Sequence, residues 1–132
     1  MIDDLSSRVG MIQAVCNGHV IGSATGFYIR RGLDVYLITN WHVLSGRRPS
    51  DNQPMDGRGA IPDKISISWL SEKLNGGGVI EIDLNDESGN RRWLEHSRGK
   101  EVDVAAIKID SPVASSFQVL DIESLYSTDL LG

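Results

Sequence analysis

An all-β domain with antiparallel strands is what this sequence predicts, and three observations carry the prediction. Several segments alternate apolar and polar residues with a period of two, turn-forming dipeptides separate them, and helical periodicity is scarce. The alternation is clearest in Lys64-Ile65-Ser66-Ile67-Ser68-Trp69, where Ile65, Ile67 and Trp69 share one face and the serines share the other with Lys64. Ile80-Glu81-Ile82-Asp83-Leu84 repeats the pattern. The glycines of Leu74-Asn75-Gly76-Gly77-Gly78 supply a flexible turn between the two, so the pair reads as a hairpin. Upstream, residues 9–16 and 20–29 form two more strands joined through Asn17-Gly18, a strong tight-turn dipeptide. Val35-Tyr36-Leu37-Ile38-Thr39 is another strand. The last is Val104-Ala105-Ala106-Ile107-Lys108-Ile109, closed by Ser111-Pro112. Residues 41–45 and 115–125 are the short helical candidates. About six strands joined mostly by turns indicate an antiparallel barrel or sandwich rather than βαβ units.

The bulk properties fit that class. The chain has 132 residues, 40% of them hydrophobic and 23% charged, with 14 glycines against 4 prolines, which suits one globular domain with a core. No apolar run approaches the roughly 18 residues of a membrane span. The start, Met1-Ile2-Asp3-Asp4, is acidic where a signal peptide carries positive charge, so a cytoplasmic location is expected. Cys16 is the one cysteine and cannot make an internal disulfide; it reads as a small buried hydrophobe.

The net charge of −5 argues against general affinity for nucleic acid or anionic lipid. The pairs Arg30-Arg31, Arg47-Arg48 and Arg91-Arg92 lie far apart without interleaved aromatics and read as solvated turns. His19, His42 and His96 show no metal-ligand spacing, and Gly76-Gly77-Gly78 lacks the Lys-Ser/Thr of a phosphate loop, so neither metal nor other cofactor is expected. The polar segment 46–62, with Pro49, Pro54 and Pro62, is long for a connection in a compact domain and is therefore mobile or functional. Residues 85–100 form a second polar insertion.

Two residues stand out as candidates for chemistry. His42 follows directly on an apolar strand, in Leu37-Ile38-Thr39-Asn40-Trp41-His42-Val43, where a rigid strand end fixes the imidazole, the side chain whose ordinary pKa best suits proton transfer near neutrality. Asp103 has the parity of Ala105, Ile107 and Ile109, which in a regular strand turns its carboxylate toward the apolar side and demands a partner. The ring N–H of His42 is one candidate partner. Capping of nearby backbone N–H groups by an aspartate that opens the strand is the other, and the local pattern does not separate them.

Taken together, Gly22-Ser23-Ala24-Thr25-Gly26-Phe27-Tyr28-Ile29, Tyr36-Leu37-Ile38-Thr39-Asn40-Trp41-His42-Val43 and Asp103-Val104-Ala105-Ala106-Ile107 resemble, in order, the first half of a trypsin-like serine peptidase of the disulfide-free bacterial type. The resemblance implies a six-stranded antiparallel Greek-key β-barrel over residues 5–112, with a short helical turn after the strand bearing His42. It implies a tail at 113–132 leading to a second barrel. It implies His42 as general base and then general acid, and Asp103 as its orienting partner. A protein or peptide would be the substrate. The family's nucleophile, a serine in a Gly-x-Ser-Gly setting, has no counterpart after Asp103, where Ser111, Ser115, Ser116, Ser124 and Ser127 lack flanking glycines. Ser88-Gly89 precedes the aspartate and reads as a turn. The chain alone is therefore expected to be inactive toward peptides. The alternative is a non-catalytic barrel that binds a protein partner through loop 46–62. The apolar residues of the tail 117–132 are expected to pack back on the first barrel or to meet a packing partner.

Overall fold

The computed structural model describes residues 9–69, 78–111 and 120–121. They are mostly antiparallel β-sheet. In chain order the elements are β1 (Val9–Cys16), β2 (His19–Arg31), β3 (Asp34–Thr39), a short helix α1 (Trp41–Ser45), β4 (Lys64–Trp69), β5 (Gly78–Asp83), β6 (Leu94–Glu95), a 3-10 turn (Gly99–Glu101), β7 (Ala105–Lys108) and β8 (Leu120–Asp121). The strands form one sheet in the order β5-β4-β1-β2-β3-β7-β6, with β8 parallel to the end of β2.

Local chemistry accounts for most of these elements. Asn17 and Gly18 both take positive φ, 50° and 82°, as a two-residue hairpin turn matched to strand twist requires. In β4, Ile65 and Ile67 are completely buried while Ser66 and Ser68 are not, so the alternation of the sequence is the alternation of the fold. β4 and β5 pair from Lys64 opposite Asp83 to Trp69 opposite Gly78, which bears out the hairpin; its turn at 70–77 lies outside the described residues. One cluster joins Ile12, Tyr28, Leu37, Ile65, Ile82 and Ile107, residues drawn from six strands, so the sheet wraps one main core, and a smaller cluster joins Ile29, Ile38 and Ala106. The Tyr28 phenol sits within that core, and burial pushes its pKa far above the ordinary range. Gly26 in β2 is required by close approach: a Cβ there would lie 2.6 Å from the carbonyl oxygen of Ile38.

The sheet corrects the expectation of a closed six-stranded Greek-key barrel. It is an open path of seven strands, with β8 beside β2, and the terminal members of the path, β5 and β6, share no ladder. The second polar insertion is the reason. After β5 it folds into a turn in which the Asp86 carboxylate accepts the backbone N–H groups of Ser88 and Asn90 at 2.9 and 2.8 Å, with Gly89 at φ 84°. What remains for pairing is two residues, both taken by β7. Among the described residues the two ends of the sheet are linked by an isolated bridge, Asn85 to Arg91, and by Arg92, whose backbone N–H donates to the Leu84 carbonyl and whose guanidinium donates to the Asp83 carbonyl at 3.1 Å, with buried Trp93 beside them. The expected helix at 115–125 is also corrected at the two positions described: Leu120 and Asp121 are extended and pair with Ile29 and Arg30. The rest of that segment lies outside the described residues.

Candidate functional site

The β3–β7 register builds the site. Thr39 stands opposite Ala105 in an antiparallel pair, so the chain leaving β3 runs alongside the chain entering β7, and two more residues in that register bring Trp41 opposite Asp103. Thr39 is buried and its hydroxyl donates to the Thr25 carbonyl at 3.0 Å, fixing the strand end. The Asn40 side-chain amide donates to the backbone carbonyl of Asp103 at 3.1 Å. Helix α1 starts immediately afterwards.

Asp103 then spends one oxygen on each of two jobs. Its Oδ2 lies 2.5 Å from Nδ1 of the His42 ring, and its Oδ1 accepts the backbone N–H of His42 at 2.8 Å. Asn40, the N-cap of α1, makes no side-chain cap bond, so Asp103, from a segment distant in sequence, satisfies a donor that the first helical turn leaves unpaired. The two alternatives left open by the sequence, partner of the imidazole and cap of nearby N–H groups, are both realised by the same carboxylate. One expectation needs correction. β7 begins at Ala105 rather than Val104, so Asp103 precedes the regular strand and its side chain is 33% exposed, beside a His42 side chain at 32%.

An ionised carboxylate only accepts, so Nδ1 carries a proton and the neutral ring presents the lone pair of Nε2. Nε2 makes no hydrogen bond among the described residues. No serine among them hydrogen-bonds to His42 either; Ser45 instead accepts the Arg47 N–H at 3.1 Å, and Ser88 lies in the Asp86 turn.

The helix bearing His42 is held at three further points that periodicity does not reveal. The buried indole of Trp41 donates to Oε2 of Glu95 at 2.9 Å, and Arg91 binds the other oxygen of Glu95 at 3.2 Å while stacking over Trp93. Gly46 ends α1 in the left-handed conformation, φ 69°, donating to the His42 carbonyl at 3.0 Å, and a Cβ on it would overlap the ring of Pro62.

Loop 46–62 is not loose. The Met55 N–H donates to the Gly46 carbonyl at 2.8 Å, Arg48 and Gln53 are bridged by a backbone bond of 2.8 Å, and Arg48 pairs with Asp51 at 2.7 Å. The Asp56 carboxylate accepts the N–H groups of Arg58 and Ala60 at 3.0 and 3.2 Å, and these bonds, that from Ala60 foremost, lower its pKa. The loop thereby forms one wall of a half-open, mostly apolar pocket of about 110 Å³ against His42.

The arginine pairs depart from the reading as solvated turns: Arg30-Arg31 ends strand β2, while Arg47 donates to the Asn52 carbonyl, Arg48 binds Asp51, Arg91 binds Glu95, and Arg92 binds Asp110 at 3.0 Å. No group of three or more metal-ligating side chains occurs among the described residues, and no described helix is long and apolar enough to cross a membrane. His19 is exposed at the start of β2, and Nδ1 of His96 accepts the Arg98 N–H at 3.1 Å.

Comparison with protein-family models, with curated proteins and with solved structures gives no match. The functional reading therefore rests on the sequence motifs and on the geometry of His42 and Asp103.

Proposed function

We propose that this chain supplies the proton-transfer half of a serine-type endopeptidase site, with His42 as general base and acid and Asp103 as its orienting carboxylate. The observation that carries the reading is the double engagement of Asp103, whose two oxygens fix both the ring and the backbone of His42. This arrangement sets the tautomer that a base needs: Nδ1 holds the proton, Nε2 is available, and the imidazolium formed in the reaction lies against a negative charge. The motif order that resembles trypsin-like peptidases supports the same reading.

In the proposed reaction, Nε2 of His42 takes the hydroxyl proton of a serine as that oxygen attacks the peptide carbonyl. The same proton then passes to the leaving amine. No described serine is bonded to His42, and Ser111, Ser115, Ser116, Ser124 and Ser127 lack the Gly-x-Ser-Gly setting, so the nucleophile and the oxyanion donors are assigned to polypeptide other than these 132 residues. The 132 residues alone are accordingly proposed to be inactive, because members of a triad act as a unit.

Labelling with a serine-directed fluorophosphonate tests this. The 132-residue chain is expected to remain unlabelled, and a longer parent chain to label with a rate that His42→Ala abolishes. Labelling of the short chain refutes the assignment of the nucleophile. A folded parent that does not label refutes the peptidase reading and leaves the protein-binding barrel.

A further inference from the structure

From the half-open apolar pocket beside His42 we infer that loop 46–62 is a specificity element, seating one aliphatic side chain of the substrate next to the bond being cleaved. The inference rests on the peptidase reading and adds the class of residue selected. The pocket is lined by Ile21 from β2, by Val43 from α1 and by Met55, Ala60 and Pro62 from the loop, with His42 on its wall. A group seated there is therefore adjacent to the imidazole.

Size and charge limit the occupant. A volume of about 110 Å³ is smaller than the roughly 150 Å³ apolar cavity known to hold a benzene molecule. A branched aliphatic side chain fits and an indole does not. Asp56 also borders the cavity, but its carboxylate is taken up by the N–H groups of Arg58 and Ala60 and by the Arg58 guanidinium at 3.6 Å. A charged side chain of either sign would thus find no free counter-charge on this wall, because the Asp56 carboxylate is already engaged. The loop's internal bonds hold the cavity open in advance, so little ordering opposes binding. Met55, 53% exposed despite its apolar side chain, stands where a ligand would cover it.

The test uses the 132-residue chain and reads binding without turnover. N-acetyl-leucinamide and N-acetyl-glycinamide are titrated against the 15N-labelled protein, in the range of about 1–50 mM that so small a contact permits. The leucine amide is expected to shift the amides of Ile21, Val43, Met55 and Ala60 in a saturable manner, and the glycine amide to leave them unmoved. Ala60→Leu, which fills the cavity, is expected to weaken leucinamide binding at least about tenfold. Met55→Ala, which enlarges it, moves the preference toward N-acetyl-phenylalaninamide. Thermal melts show that each variant is folded. Equal shifts with both amides, shifts that map elsewhere, or a folded Ala60→Leu variant that binds as before would overturn the inference. None of those results touches the His42–Asp103 pair, whose failure is read separately from fluorophosphonate labelling.

Discussion

Replacing Asp103 separates its two roles, because asparagine keeps one and reverses the other. In Asp103→Asn the backbone N–H of His42 still needs an acceptor, and only the amide oxygen can provide it, so the carboxamide orients with Oδ1 toward that N–H. The amide nitrogen then faces Nδ1 of the ring, where the Oδ2 carboxylate oxygen stood at 2.5 Å. A donor facing Nδ1 forces the other neutral tautomer, with the proton on Nε2, and a base has become a non-base without a change of shape. The stability cost is small. A cap bond is worth about 1 kcal/mol, and an ion pair whose side chains are 32% and 33% exposed is worth no more than about 1 kcal/mol. Asp103→Ala therefore loses about 2 kcal/mol and Asp103→Asn about 1 kcal/mol, read from urea denaturation midpoints. Long-range 15N correlation of the neutral imidazole reports the tautomer directly: Nδ1–H in the wild type, Nε2–H in Asp103→Asn. In an active parent chain the tautomer change is expected to lower kcat by about 10⁴. An unchanged tautomer in a folded Asp103→Asn protein would refute the reasoning, as would a cost of Asp103→Ala equal to that of Asp103→Asn.

The remaining expectations concern the scaffold that holds this pair. Gly26→Ala drives a Cβ to 2.6 Å from the Ile38 carbonyl, a backbone atom of the neighbouring strand, and should cost about 2–3 kcal/mol in thermal unfolding, whereas Gly22→Ala, which meets nothing within 4 Å, should be nearly silent. Gly46→Ala combines a left-handed φ of 69° with overlap on Pro62; the backbone term alone is about 1–2 kcal/mol, and the variant should both melt lower and lose leucinamide binding. Trp41→Phe removes the indole donor to Glu95 and should cost about 1 kcal/mol in chemical denaturation, while Glu95→Ala in the Trp41→Phe background should add less than it does alone. Asp56 has a pKa below the ordinary carboxylate value because its charged form accepts backbone N–H bonds, so its contribution is complete above about pH 4 and is lost as pH falls through the lower folded value. Hydrogen exchange of the Ala60 amide, corrected for its intrinsic pH dependence, should therefore accelerate on acidification, and Asp56→Asn should abolish that acceleration.

What the residues determined by themselves is local. A period of two over Lys64–Trp69 fixes which side chains enter the core, and Asn17-Gly18 fixes a hairpin turn, because each depends only on neighbours along the chain. The candidate pair was legible for a different reason: His42 follows closely on an apolar strand and Asp103 shortly precedes one, so each carries its position in its immediate context. Three things needed the tertiary structure. Strand closure could not be read, since whether β5 meets β6 depends on how the turn around Asp86 consumes the intervening chain. The boundary of β7 moved to Ala105, because pairing with Thr39 rather than alternation decides where the ladder starts. And nothing in residues 46–62 announces a pocket, because its loop wall is shaped by Gly46 against Pro62 and by Asp56 folding back on Ala60, contacts that exist only once the loop has folded. Periodicity reports which face a side chain shares, while the partner it meets across 61 residues is set by the register that joins β3 to β7.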